Sequence, residues 1–167
     1  VKVRVVFTGA DGFQILMDQL QFLYAYRAAA NAIQIEHHSV SSAVLEQGSF
    51  ASGSSFEALK ERDGATADVA SAENKVAWHA VVPLYQNKAN VRSLRIDYAG
   101  GQSAQTNDVW LSVYRFDTEN WEAIGLLPGE AGQRHRTFVL SGDKLKNYLS
   151  DDGDFRVACT IQPAAAL

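Results

Sequence analysis

The chain has 167 residues, a formal net charge of −4, and 47% hydrophobic against 20% charged residues. That length suits one domain of about 100–150 residues with further segments, and it can bury a core without staples. The acidic balance gives no electrostatic reason to expect nucleic acid or an anionic membrane as a partner, and no apolar run nears the ~20 residues of a membrane span.

In chain order, "VKVRVVF" (1–7) alternates like a strand and runs into the turn "TGADG". "FQILMDQLQFLYAY" (13–26) fits a helix through Ile15, Leu16, Gln19, Leu20 and Leu23. It fits a strand equally, and the glycine-bearing turn before it favours a hairpin over 1–26. Residues 27–39 read as a linker that leads into a short strand and carries the adjacent His37 and His38. "VLEQGSFASGSS" (44–55) is loop-like, and "SFEALKERDG" (55–64) holds one helical turn closed by Gly64. Strand signals follow in "ATADVAS" (65–71), "KVAWHAVVPLY" (75–85), "VRSLRIDYAG" (91–100) and "VWLSVYRF" (109–116). "DTEN" is a four-residue turn, and "WEAIGLL" (121–127) is the returning strand. "RTFVLS" (136–141), a short helical stretch over 142–150, the turn "DDGD" and "FRVACTI" (155–161) complete the pattern. Many short strands with regular turns and no alternating helices predict an all-β chain, an antiparallel β-sandwich. The closing "PAAAL" resembles an insert-to-tag junction, so residues 164–167 are read as an expression-tag remnant.

The order of five segments carries a family resemblance. They are "GSFASGSSFEALKERDG", "VAWHAVVPL", "VRSLRIDYAG", "DVWLSVYRFDTENWEAIG" and "YLSDDGDFRV", spread over residues 40–163. Together they resemble the galactose-binding-type jelly rolls, carbohydrate-binding-module-like β-sandwiches found in tandem in secreted bacterial enzymes and surface proteins. The resemblance implies a jelly-roll module over 40–163, an extracellular or cell-surface setting within a longer protein, and a polysaccharide or glycan as partner. It also implies a structural calcium ion in some members. Residues 1–26 look like the last hairpin of such a module, displaced to the front. That hairpin belongs to an upstream module, pairs back into this sandwich, or exchanges between chains as in a strand-exchanged homodimer. A weak echo between "VKVRVVFTG" and "DFRVACTIQ" fits a boundary between modules, and chance explains it equally.

The residues offer little for catalysis. The serines of "SVSS" and "SGSS" sit in no nucleophile elbow, and His37, His38, His79 and His135 lack metal-site spacing. No phosphate-binding glycine loop is present, and no acid pair stands out for glycoside hydrolysis. The chain is therefore read as no enzyme. The lone Cys159 alternates with Phe155, Val157 and Ile161, which predicts a buried thiol. Acidic turns could hold calcium, and the densest carries Asp151, Asp152 and Asp154. The plainer reading of that stretch is a charged hairpin turn.

A sugar site needs exposed rings for the apolar faces of sugars and planar polar groups for their hydroxyls. With Leu94 and Ile96 turned inward, Arg95 and Asp97 point out. With Leu111 and Val113 inward, Trp110, Ser112 and Tyr114 point out. If the two strands were neighbours, one face would join Trp110, Ser112 and Tyr114 to Arg95 and Asp97, making a sugar platform. The competing expectation is that the N-terminal hairpin or another module covers that face, with Arg95 and Asp97 forming an ordinary pair. Trp121 reads as a core or turn-packing anchor, and Trp78 as core.

Overall fold

A computed structural model describes residues 4–8, 14–16, 19–27, 33–60, 66–73, 75–102, 108–127 and 132–161. The described chain is built from strands, joined by two short 3-10 turns at Phe56–Leu59 and Asp143–Tyr148. The first strands are β1 (Arg4–Thr8), β2 (Gln14–Leu16), β3 (Gln19–Arg27), β4 (Ile33–His38), β5 (Ser42–Gln47) and β6 (Ser49–Phe50). Then come β7 (Thr66–Ala70), β8 (Val76–Pro83), β9 (Val91–Gln102), β10 (Val109–Arg115), β11 (Asn120–Leu127), β12 (Gly132–Ser141) and β13 (Asp154–Ile161). Among the described residues no helix is long and apolar enough to cross a membrane.

The strands form two sheets. The five-stranded sheet runs β11-β10-β13-β8-β5 and is antiparallel throughout. The eight-stranded sheet runs β4-β3-β9-β2-β1-β7-β6, with β12 pairing β9 as well. It is antiparallel except at β1, which runs parallel to β7 and β9.

The N-terminal strands are part of the larger sheet. β1 and β2 meet at Thr8 and Gln14, while β3 leaves them and lies along β9, from Gln19 opposite Ala99 to Tyr26 opposite Val91. The stretch read as a linker contains β4, which pairs β3 from Ile33 to His38. Its period-two pattern, Ile33 and Ile35, marks a strand, and the alanines before it obscure that signal. The sequence boundary at residue 40 falls between β4 in the larger sheet and β5 in the smaller one. Residues 164–167 lie outside the described residues.

Both sheets bury their apolar faces in one cluster. β8 contributes Val76, Trp78, Ala80 and Val82, β10 Val109, Leu111 and Val113, and β13 Phe155, Val157, Cys159 and Ile161. The larger sheet contributes Ala67, Val69, Leu94, Ile96 and Tyr98. Period-two alternation in each strand puts these residues on one side. Trp78 and Cys159 are buried as expected, and burial pushes the Cys159 thiol up to about 12. Phe56 stands 5.8 Å from Trp78 and meets Phe50 edge-on at 4.7 Å. The sheets also touch at Gly125, where a β-carbon would come within 2.0 Å of the Phe138 ring. Phe138 is on β12, so this glycine is what lets β11 approach the larger sheet.

Candidate functional site

The outer side of the five-stranded sheet carries three rows of side chains, read across the strands. The first row is Leu126, Trp110, Thr160, Ala77 and Gln47. The second is Ala123, Ser112, Ala158, His79 and Val44. The third sets Trp121 opposite Tyr114 and Arg156 opposite Val81, with the Arg156 guanidinium carbon 5.3 Å from the Tyr114 ring centre. The middle row is small on three consecutive strands. The rows beside it carry the rings, Trp110 in one and Tyr114 and Trp121 in the other.

Trp121 lies across this face. Its ring centre is 5.2 Å from Tyr114, nearly perpendicular at 71°, and 6.1 Å from His79. His79 is on β8, with β10 and β13 between it and β11. Strands about 4.8 Å apart put β11 and β8 about 14 Å from each other, so the indole must lean inward over the small middle row. Ala158, beneath it, is only 7% exposed although it points outward. Trp121 itself is 37% exposed and Trp110 46%. At the far end His79 Nδ1 meets Glu46 Oε1 at 2.9 Å.

The exposure of Trp121 overturns the expectation that it anchors the core. The cause is a β-bulge. Leu111 pairs with Gly125 while Ser112 pairs with Ala123, so Ile124 is an extra residue. Strict alternation from the buried Leu127 would turn Trp121 inward; one extra residue reverses the parity and turns it out. The signal for this in the sequence is Gly125 inside a strand pattern, a common mark of a bulge. His79 and Arg156 are further members of this face that sequence reasoning missed. Each follows a residue read as core, Trp78 or Phe155, and so has to point outward.

The predicted five-residue platform is split. Trp110, Ser112 and Tyr114 share the outer face of the smaller sheet, but Arg95 and Asp97 are on β9 in the larger one. The two strands are consecutive in the chain yet do not pair. Asp97 is buried at 3% exposure, contrary to the expectation that it faces solvent. It accepts hydrogen bonds from Arg95 Nε at 3.0 Å and from Thr137 Oγ1 on β12. Among the described residues the N-terminal strands do not pair into the smaller sheet, and its outer face is exposed at Trp110 and Trp121.

Two half-buried arginines flank the aromatic row. Arg115 donates to Asp117 through Nε at 3.0 Å and through Nη2, and reaches Glu122 at 3.5 Å. The same contact holds the Asp117 carboxyl below its ordinary range. Arg156 instead lies over the rings of Tyr114 and Phe116, 5.3 and 5.1 Å from their centres.

The acidic turn over 150–154 is closed by its own groups. The Asp154 amide donates to Ser150 Oγ at 2.8 Å, Ser150 N to the Asp154 carbonyl at 3.0 Å, and Lys88 pairs with Asp151. Asp152 is exposed. Gly153 takes φ +83°, and a β-carbon there would sit 2.4 Å from the Gln86 carbonyl oxygen. Among the described residues no three His, Cys, Asp or Glu side chains gather as metal ligands.

Two concavities lie among the described residues. One of about 410 Å3 lies beside Phe116, between Lys88, Asp117, Lys146 and Asp151. The other, about 370 Å3, is lined by His37, His38, Ser41, Pro83 and Tyr85. His38 there meets the Pro83 carbonyl oxygen at 2.9 Å through Nδ1, and Glu36 at 3.4 Å. Compared with protein-family models, curated proteins and solved structures, the chain matches none.

Proposed function

We propose that the chain is a non-catalytic carbohydrate-binding module, and that the outer face of the five-stranded sheet is its binding surface. The observation that carries this reading is the pair of exposed indoles, Trp110 and Trp121, on one sheet face, with Tyr114 beside Trp121. Exposed rings grouped on one face are rarer than single exposed hydrophobics and mark contact surfaces. Indole and phenol rings stack against the C–H faces of sugars, while Ser112, Thr160 and His79 offer hydroxyl partners. The single buried cluster shared by the two sheets supports a β-sandwich of jelly-roll type. With the sequence resemblance, that points to a galactose-binding-like module of a secreted or surface bacterial protein.

Affinity electrophoresis through gels containing neutral and acidic polysaccharides tests this. At least one polymer is expected to retard the protein, with retardation lost in Trp110→Ala and Trp121→Ala variants that melt like the parent. Retardation by none of the polymers, or unchanged behaviour of both variants, refutes it.

A second reading is a structural or adhesive spacer in a tandem array. It is favoured by Val139, 62% exposed on β12, which a neighbouring module would cover. Light scattering that finds a strict monomer at high concentration removes strand exchange between chains from that reading.

A further inference from the structure

Arg115 and Arg156 are both half-buried and differ in what holds their charge. Arg115 is met by two carboxylates, whereas Arg156 has no carboxylate partner among the described residues. Its Nε is buried and has no hydrogen-bond acceptor there. The rings of Tyr114 and Phe116 stabilise the cation from its faces. Rings do not accept the in-plane N–H bonds, of which a guanidinium has five. Nε itself is closed to any ligand, so the groups of this cation left for a partner outside the chain are the two Nη, which no carboxylate meets among the described residues. The Nη pair presents two parallel donors, the fork that a carboxylate matches with two oxygens.

The position adds to this. Tyr114 stands between Arg156 and Trp121, its ring centre 5.3 Å from the guanidinium carbon and 5.2 Å from the indole centre. One sugar ring on the indole therefore places a substituent, or the next unit, within reach of Arg156. We infer that the ligand of this face is an acidic polysaccharide, whose uronate carboxylate is held by the Arg156 fork while its rings stack on Trp121 and Trp110. This rests on the glycan-binding reading and narrows its ligand class. The chain's net charge of −4 opposes polyanions at long range, so selection would come from the local fork and not from a basic patch.

The test is affinity electrophoresis in polygalacturonate, alginate and hyaluronate, each run beside the same polymer after chemical reduction of its carboxyls to alcohols. The expected result is retardation by at least one uronate polymer, with apparent affinity falling at least about tenfold on carboxyl reduction. Arg156→Gln should show the same loss in the unreduced polymer, and Arg156→Lys should recover only part, since it keeps the charge and lacks the fork. Carboxyl reduction leaves the protein untouched, so a fold defect in a variant cannot mimic the result. Equal affinity for the reduced polymer, or an Arg156→Gln variant that binds like the parent, overturns the inference. If neutral polymers bind and only Trp121→Ala abolishes binding, the glycan reading stands and the acidic ligand falls. If no polymer binds, both fall.

Discussion

The outer faces of the two sheets solve the same problem in opposite ways. On the larger sheet, Asp97 is drawn into the surface and satisfied by Arg95 and Thr137, so the polar groups of β9 and β12 answer one another. On the smaller sheet, two indoles are exposed and the Arg156 guanidinium is held by rings with no carboxylate among the described residues. At Asp97 the first face supplies its own partners; the second has exposed stacking area and a guanidinium that no carboxylate meets among the described residues. Residue types alone do not make a site, because both faces carry an arginine. What differs is whether the chain supplies the partner.

The device that sets the two sheets against each other should give the largest effect when broken. Gly125→Ala puts a β-carbon into the Phe138 ring, which is also where the bulge sets the parity of β11. Overpacking of this kind costs about 1–3 kcal/mol. Thermal or denaturant unfolding should register that loss, and adding Phe138→Leu should restore much of it. A Gly125→Ala variant as stable as the parent would mean that the two sheets do not meet there.

The comparison of faces predicts a crossed pattern. Asp97→Ala removes the acceptor shared by Arg95 and Thr137 and should cost about 1–3 kcal/mol of stability while leaving glycan affinity alone. Trp121→Ala should do the reverse: glycan binding lost, with stability within about 1 kcal/mol of the parent because the ring is already partly in water. If the effects are exchanged, the roles given to the two faces are wrong.

Much of the core is legible in the sequence alone. Alternation in "VAWHAVV", "VWLSV", "SLRI" and "FRVACTI" sorts Trp78, Leu111, Val113, Leu94, Ile96 and Cys159 inward, and the structure buries each of them. That success has a physical basis, since a strand with one face in the core has little freedom of register. The failures are non-local or turn on a single residue. Trp121 departs from its expected place because one bulge inverts every residue beyond it. Arg95 and Asp97 do not join Trp110 because strands adjacent in sequence need not be adjacent in a sheet, and the chain between β9 and β10 passes from one sheet to the other. Strand pairing is decided by burial summed over the whole molecule, which no local window contains. The three outward positions on β10 are readable; the arginine beside them comes from β13, about forty residues on.

The inner faces can be compared by pH. Cys159 of the smaller sheet is raised to about 12 by burial, and Tyr98 of the larger sheet is raised by burial and then by Cys159. Below about pH 8.5 the thiol is protonated folded and unfolded, and pH has no effect through it. Above that the unfolded thiol ionises and the folded one does not, so stability is lost as pH rises towards 12, at about 1.4 kcal/mol per unit for one proton. Cys159→Ala should flatten that alkaline limb by one proton. Urea titrations from pH 8 to 10.5 that give the same slope for both proteins would refute the burial of the thiol between the sheets.

The smallest expected effect tests the small middle row. Ser112 and Ala158 leave the space over which Trp121 leans toward His79. Ser112→Leu sits on an outward position and should change stability by only about 0.5 kcal/mol. It cannot share the space with the indole, however, and should lift Trp121 off the sheet. In a Trp110→Phe background the remaining tryptophans are the buried Trp78 and Trp121 itself, so a red shift of emission on adding Ser112→Leu reports Trp121. Emission that does not move would mean that the indole stands upright on its own strand. The aromatic row would then be two separate rings without the continuous surface on which the binding proposal depends.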